Sequence, residues 1–404
     1  MTSQVLDVGT VITGAGDALE DATIVVEDGV VTELTQDATD GDSVDLTDKV
    51  VMPGLIDAHV HLNYTGETED YRTKESLSDE YLALRSLEHA RNALAAGVTT
   101  VADVAARDTT VLSLRDAIDD GVTLGPRVKS CGGMLAISGG RAVDGRVSGS
   151  IVEVDGPDEA RKETRKLLMY YGADLIKLAA TGALSSPHTG ARDPQLTVEE
   201  MTAATEEAHN CGRPVHAHCY GEAGISNALD AGVDVIVHGQ SLTDDHIAQM
   251  HDQDSLLVPT LATFRKMEDG IEALGERDRP DSSGGVREEA VPNFERALEA
   301  DIPIAAGTDC GMPEVRHGTN PVELAHYVDL GMTPDEAITA GTLTAARSLN
   351  LEDELGSIEP GKHADMLVLS ADPREDITRL TDSENIDRIL LGGEFVEDQL
   401  TAYR

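Results

Sequence analysis

The chain has 404 residues, 40% of them hydrophobic, enough to bury a sizeable core in one large domain with a smaller one beside it. Its 75 Asp and Glu outnumber 31 Lys and Arg, and the formal charge of −44 repels nucleic acid and anionic membranes, so neither is expected as a partner. The sequence opens without a basic, apolar leader and contains no run of about 18 apolar residues, which sets the expectation of a cytoplasmic protein.

The acid is scattered, as at Glu199, Glu200, Glu206, Glu207, Asp244, Asp245, Glu352, Asp353 and Glu354, and reads as a hydrated surface. At molar ionic strength screening shortens to about 3 Å and such self-repulsion becomes tolerable, so this surface suits a halophilic, salt-rich cell interior. Cys131, Cys211, Cys219 and Cys310 form no CxxC pair and no dense framework, which argues for buried thiols over a zinc-thiolate centre or a disulfide scaffold.

From the N-terminus, β-branched runs at 22–27 and 30–34 flank Asp28-Gly29 and predict a hairpin. A β-rich stretch also closes the chain, at 364–369 and at 386–396 around Gly392-Gly393. Two terminal β segments flanking a long middle predict one small domain built from both ends. The middle alternates strand and helix eight times, with strands near 55–61, 98–104, 127–132, 174–180, 214–219, 234–238, 256–261 and 303–309. Eight such units predict an α/β fold, the (β/α)8 TIM barrel. Gly97, Gly121, Gly172, Gly212 and Gly232 stand just before strands, where a helix ends in a left-handed residue. The polar excursion 264–289 is expected to form a loop or short helices over the barrel mouth.

In such a barrel the carboxyl ends of the strands surround the active site, so site residues are polar positions late in apolar strands. The first strand ends Asp-Ala-His-Val-His, and His59 and His61, two apart, can chelate one divalent cation. Alone, such a pair is as readily a solvated strand end. In the fourth, Lys177 stands among apolar neighbours; an unpaired buried ammonium is driven toward the neutral amine. A neutral lysine adds carbon dioxide to give a carbamate able to bridge two cations, whereas a lysine reaching solvent or an acid is the plainer alternative. His216 and His218 share a face of the fifth; His218, nearer the end, is the ligand candidate, and His216 lies behind the ligands or in the core. His238 ends the sixth, and Asp309 ends the last, where a carboxylate binds metal or caps a turn.

Imidazole and carboxylate together suit zinc first, with manganese, cobalt or iron as alternatives. Zinc lowers the pKa of bound water to about 7 and polarises a carbonyl, while Asp309 moves the proton to the leaving group. Ser138 and Ser185-Ser186 lack a nucleophile-elbow context, and neither Gly132-Gly133 nor Gly139-Gly140 has phosphate-loop spacing.

With these residues in place, the chain resembles the metal-dependent amidohydrolase superfamily, and within it the imidazolonepropionase-like group that includes Xaa-Pro dipeptidases of the prolidase type. The likeness rests on Pro-Gly-Leu-Ile-Asp-Ala-His-Val-His (53–61), Asp-Leu-Ile-Lys (174–177), His-Cys-Tyr-Gly (218–221), Val-His-Gly (237–239), Gly-Thr-Asp (307–309) and Leu-Gly-Ser-Ile-Glu-Pro-Gly-Lys-His-Ala-Asp-Met-Leu-Val-Leu (355–369). It spans nearly the whole chain. The resemblance implies a site of two divalent metal ions: His59, His61 and Asp309 on one, His218 and His238 on the other, with carboxylated Lys177 bridging. It also implies a β-sandwich domain from 1–53 and 358–404, a barrel over 54–357, a homo-oligomer, and hydrolysis of an amide-type bond by a hydroxide bridging the ions.

Relatives often carry His after a Gly-Gly pair following the third strand, whereas here Gly139-Gly140 precedes Arg141. A guanidinium near the mouth would favour a substrate carboxylate. Tyr220 and His317 are candidate substrate contacts, with packing roles as the alternative. The expected reaction is cleavage of a small amide, foremost a dipeptide. Behind it stand a cyclic amide, an N-acyl amino acid or an aryl amide, and last a non-catalytic scaffold.

Overall fold

The computed structural model describes residues 3–37, 43–67, 76–140, 149–184, 189–270 and 288–400. The chain begins with β1 (Ser3–Ile12), β2 (Ala18–Glu27), β3 (Val30–Thr35) and β4 (Val44–Pro53). The predicted hairpin is β2–β3, antiparallel, and Asp28 and Gly29 both take positive φ, 48° and 83°, as its two-residue turn requires.

Strands and helices then alternate. They run β5 (Leu55–Val60), α1 (Asp79–Ala95), β6 (Val98–Asp103), α2 (Thr110–Asp119), β7 (Arg127–Ser130), β8 (Met134–Ala136), β9 (Ile151–Glu153), α3 (Pro157–Met169) and β10 (Ile176–Ala179). After these come α4 (Val198–Asn210), β11 (Val215–Cys219), α5 (Glu222–Asp230), β12 (Val235–His238), α6 (Asp244–Gln253), β13 (Leu256–Val258), α7 (Leu261–Gly270), α8 (Ala290–Glu299) and α9 (Val322–Asp329). Local chemistry marks the helix ends: Ser78 caps α1, Thr197 with Glu200 forms a capping box on α4, and all five punctuating glycines take positive φ. The short pair β8 and β9 carries no signal noticed in the sequence. Of the 264–289 excursion, 264–270 complete α7, while 271–287 lie outside the described residues. Among the described residues, no helix is long and apolar enough to cross a membrane.

The chain closes with β14 (Met366–Leu369), β15 (Ile386–Leu391) and β16 (Glu394–Phe395), which join the N-terminal strands in one sheet of order β16-β15-β14-β4-β1-β2-β3. Leu6, Ile24, Leu46, Val51, Met366 and Leu390 form its core. The middle strands pair in parallel, β5-β6-β7 and β13-β12-β11-β10-β8-β9, and fit a TIM-barrel-like fold. Where the sequence predicts an eighth strand, 303–310 is irregular, with isolated parallel bridges at Ile304 and Cys310 and Asp309 at φ 62°. It still lies between β13 and β5: Leu257 N donates to Pro303 O, Ala58 N to Ala306 O and Asp309 N to His59 O, at 2.9, 2.9 and 2.8 Å.

Alternation along these buried strands positions the polar residues. On β11, Val215, Ala217 and Cys219 join the cluster beneath the helices, so His216 and His218 face the other way. On β10, Ile176 and Leu178 do the same, and Lys177 shares the histidines' face.

One surface pair links fold to pH. His209, in the last turn of α4, places Nε2 2.9 Å from Asp234, which also accepts Val215 N at 2.7 Å. The Asp234 hydrogen bond raises the His209 pKa above 6.5, against partial burial. A raised folded-state pKa means that the contribution is full below about pH 6.5 and fades as pH rises through the folded value. The pair is half exposed, so the loss is about 0.5 kcal/mol or less. His209→Gln should flatten this part of the stability–pH curve in urea unfolding; an unchanged slope would remove the pair from the account.

Candidate metal centre

Three donors converge where β5 meets the 303–310 segment. His61 Nε2 lies 3.0 Å and His59 Nε2 3.4 Å from Asp309 Oδ1, and one ligand atom from each residue falls within 4.8 Å of the others. The approach is close: a Cβ on Gly307 would stand 2.8 Å from His59 Cβ and 2.5 Å from Val258 Cγ1, so only glycine fits there. Among the described residues, Nδ1 of His59 and of His61 has no hydrogen-bond partner. Burial, and then the Lys177 charge, keep His59 neutral far below its usual range. Burial works to raise the Asp309 pKa, but hydrogen bonds from His59 and His61 override it and hold the carboxylate ionised. A neutral His59 imidazole beside an ionised carboxylate is the protonation state a divalent cation needs.

A buried frame sets this geometry. Asp57, 3% exposed, accepts from His59 N and Thr308 N at 3.1 Å each, and from Thr308 Oγ1 and Asn320 Nδ2 at 2.6 Å. Its burial pushes the pKa up to about 6 against those four donors. Asp103 accepts Leu62 N at 2.7 Å, and His89 Nδ1 donates to Leu62 O at 2.8 Å, fixing the turn beyond His61.

A second pair stands beside the first. His238 Nε2 lies 3.0 Å from His218 Nδ1, and the His59 and His238 rings are 5.6 Å apart between centroids. The Gly182 carbonyl can only accept, so His218 Nε2, 2.8 Å away, carries the proton and Nδ1 presents its lone pair. With His218 Nδ1 accepting, His238 Nε2 donates across the 3.0 Å contact and the Thr260 hydroxyl, 2.7 Å away, donates to His238 Nδ1; with a cation in place of that shared proton, the hydroxyl would turn to accept from Nδ1 and both facing nitrogens would present lone pairs. Regular alternation would send His238 outward with Ile236, but its φ of 69° breaks the pleat.

Lys177 is 2% exposed, and its charge lowers the pKa of both His59 and His216 after burial does. His216 turns from the pair and donates from Nε2 to Ser348 O at 2.7 Å; burial drops its pKa to about 4. Tyr220 packs its ring on both histidines, 4.4 Å from His218 and 4.8 Å from His238 between centroids. His317 lies behind His61, donating from Nε2 to Tyr64 O at 3.1 Å and stacking on His89 at 4.6 Å. Arg141 lies outside the described residues. Sequence reasoning passed over Asp57, Thr260, Thr308, Asn320 and Glu323. Only Asp57, a carboxylate inside an apolar strand, carries a signal that could have singled it out.

The Amidohydrolase family model matches residues 50–396. The chain belongs to the amidohydrolase family. Ochratoxinase from Aspergillus niger is 29% identical to it over 428 residues, covering 96% of this chain and 85% of the relative. Imidazolonepropionase from Paracoccus denitrificans is 25% identical over 408 residues, covering 94% and 95%. A solved Xaa-Pro dipeptidase with methionine bound in its active site superposes with a TM-score of 0.87 at 29% identity, covering 98% and 99%. As an amidohydrolase, the protein is a metal-dependent hydrolase acting on carbon–nitrogen bonds, and His59, His61 and Asp309 form a group able to hold an ion.

Asp57→Ala would leave Thr308 N, Thr308 Oγ1 and Asn320 Nδ2 buried without their acceptor, at about 1–3 kcal/mol each. We expect a loss of at least about 3 kcal/mol in urea unfolding of metal-free protein. A change below about 0.5 kcal/mol, the level of an ordinary surface substitution, would show that the clasp contributes nothing.

Proposed function

We propose that this amidohydrolase cleaves a small amide, foremost a dipeptide with a free carboxylate, in a two-metal site at the mouth of a (β/α)8 barrel. The observation that carries the reading is the convergence of His59, His61 and Asp309 beside the His218–His238 pair. His59, His61 and Asp309 would hold one ion, His218 and His238 the other, and Lys177, carboxylated on Nζ, would bridge them. Zinc is the first choice for this nitrogen and oxygen donor set. When bound, the ions would activate water and polarise the scissile carbonyl.

Asp309 takes the proton of the attacking water and returns it to the departing amine nitrogen as the carbon–nitrogen bond breaks. His216 and the Asp57 frame hold the surrounding strands, and the Tyr220 phenol contacts the substrate beside His218 and His238. Arg141 would pair with the substrate carboxylate, and His317, beside the turn that carries His61, would be a further substrate contact. The Xaa-Pro dipeptidase with bound methionine supports a substrate of amino-acid size, and the imidazolonepropionase relative makes a cyclic amide the next candidate.

The barrel reading covers 54–357, with 1–53 and 358–404 forming a β-sandwich domain. It is supported by the hydrogen bonds that carry 303–310 from β13 to β5 and by the separate core of the terminal strands. The charge of −44 supports work in a salt-rich cytoplasm, and a homo-oligomer is the assembly we expect.

A dipeptide panel assayed with added zinc should show turnover, and turnover of a cyclic amide with no peptide cleaved would reverse the order of substrates. Asp309→Asn should lower kcat at least about 100-fold while the unfolding midpoint of the metal-free protein holds; full activity would take Asp309 out of the mechanism. Metal analysis should find about two ions per chain, as two-metal catalysis requires.

A further inference from the structure

The turn between β13 and α7 stands directly behind His238. Thr260, at its end, has φ 51°, a conformation that a β-branched residue rarely adopts. Such strain persists only where the surroundings over-determine it. Two observations supply that determination. On one side, Thr260 Oγ1 is 2.7 Å from His238 Nδ1, so the side chain is turned to the histidine while its backbone carbonyl accepts Thr263 N at 3.2 Å. On the other, Glu323, in the first turn of α9 and 1% exposed, accepts Leu261 N at 2.7 Å with one carboxylate oxygen and Ala262 N at 2.6 Å with the other. The carboxylate pins the first two amides of α7 and leaves the backbone at Thr260 little freedom.

We propose that Thr260 and Glu323 are positioning residues for the His218–His238 half of the centre. Glu323 locks the turn, and Thr260 accepts the Nδ1 proton of His238 so that Nε2 presents its lone pair. This rests on the two-metal reading above. Without the hydroxyl acceptor, the ligating tautomer of His238 buries an unsatisfied N–H, and the other tautomer points its proton at His218 Nδ1. Binding of the second ion therefore bears the cost, while the first ion, on His59, His61 and Asp309, does not.

Chelator-stripped protein titrated with cobalt(II), followed by the visible absorption of the bound ion and by calorimetry, reads this without any assay of turnover. Wild type should take two ions. Thr260→Val should bind the first as wild type does and the second about 10- to 100-fold more weakly, and Thr260→Ser should restore it. Glu323→Gln should reproduce the second-ion defect; if that variant does not fold, by circular dichroism, the Thr260 pair decides alone. Wild-type binding of both ions by Thr260→Val would overturn the inference, as would equal defects in the Val and Ser variants or equal weakening of both ions. A wild type that takes only one ion would remove the two-metal reading itself, and this inference with it.

Discussion

The candidate centre depends on one buried carboxylate that ligates nothing. Asp57 joins the backbone of His59 to Thr308 and Asn320, and so ties the strand that carries two donors to the segment, 251 residues later, that carries the third. Chain entropy acts against that meeting, and van der Waals packing alone would leave the register of an irregular segment loose. Four directed hydrogen bonds to one group do not. The close approach at Gly307 follows from the same constraint, because the two backbones are drawn together more tightly than any side chain permits.

Strain gathers where this precision is needed. His238, Thr260 and Asp309 all take positive φ without being glycine, and for His238 regular alternation would aim the side chain outward with Ile236. A few kcal/mol spread over three residues is large against a net stability of about 5–15 kcal/mol, so the surrounding hydrogen bonds serve first to hold an unfavourable backbone and only then to stabilise the fold. From the first turn of α7 the Thr263 hydroxyl donates to Thr308 O at 3.0 Å, one residue before Asp309, while Thr260, just ahead of that helix, meets His238.

The parallel strands are legible in the sequence because they are buried on both faces and read as apolar runs between glycine stops, and seven of the eight predicted segments become strands in phase. The eighth is held only by isolated parallel bridges, and the positive φ of Asp309 at its end is something no propensity signals. Of the site, His59, His61 and Asp309 are legible as polar endings on apolar strands, and they do gather. Their supports are not: Asn320 and Glu323 lie on a helix and its approach, where nothing periodic separates a buried amide or carboxylate from an exposed one. His238 is legible as a polar strand end, but its inward direction comes from φ 69° and not from alternation.

The acidic exterior and the buried centre answer to salt in opposite ways. Pairs such as Arg161 with Glu206 and Arg165 with Glu207 sit among an excess of carboxylates, and raising ionic strength weakens the repulsion around them more than it weakens the pairs themselves, which are in contact. His59, Lys177, His218, His238 and Asp309 are each at most 5% exposed, so counter-ions barely reach them and their mutual electrostatics keep the full strength of a low-dielectric interior. Salt can thus screen the repulsion of this acidic surface while leaving buried groups held by hydrogen bonds unaffected. Asp57, Thr260 and Glu323 are such groups, all buried and bonded through backbone amides, a side-chain amide, hydroxyls or imidazole. None of them relies on a pairing that molar salt would screen.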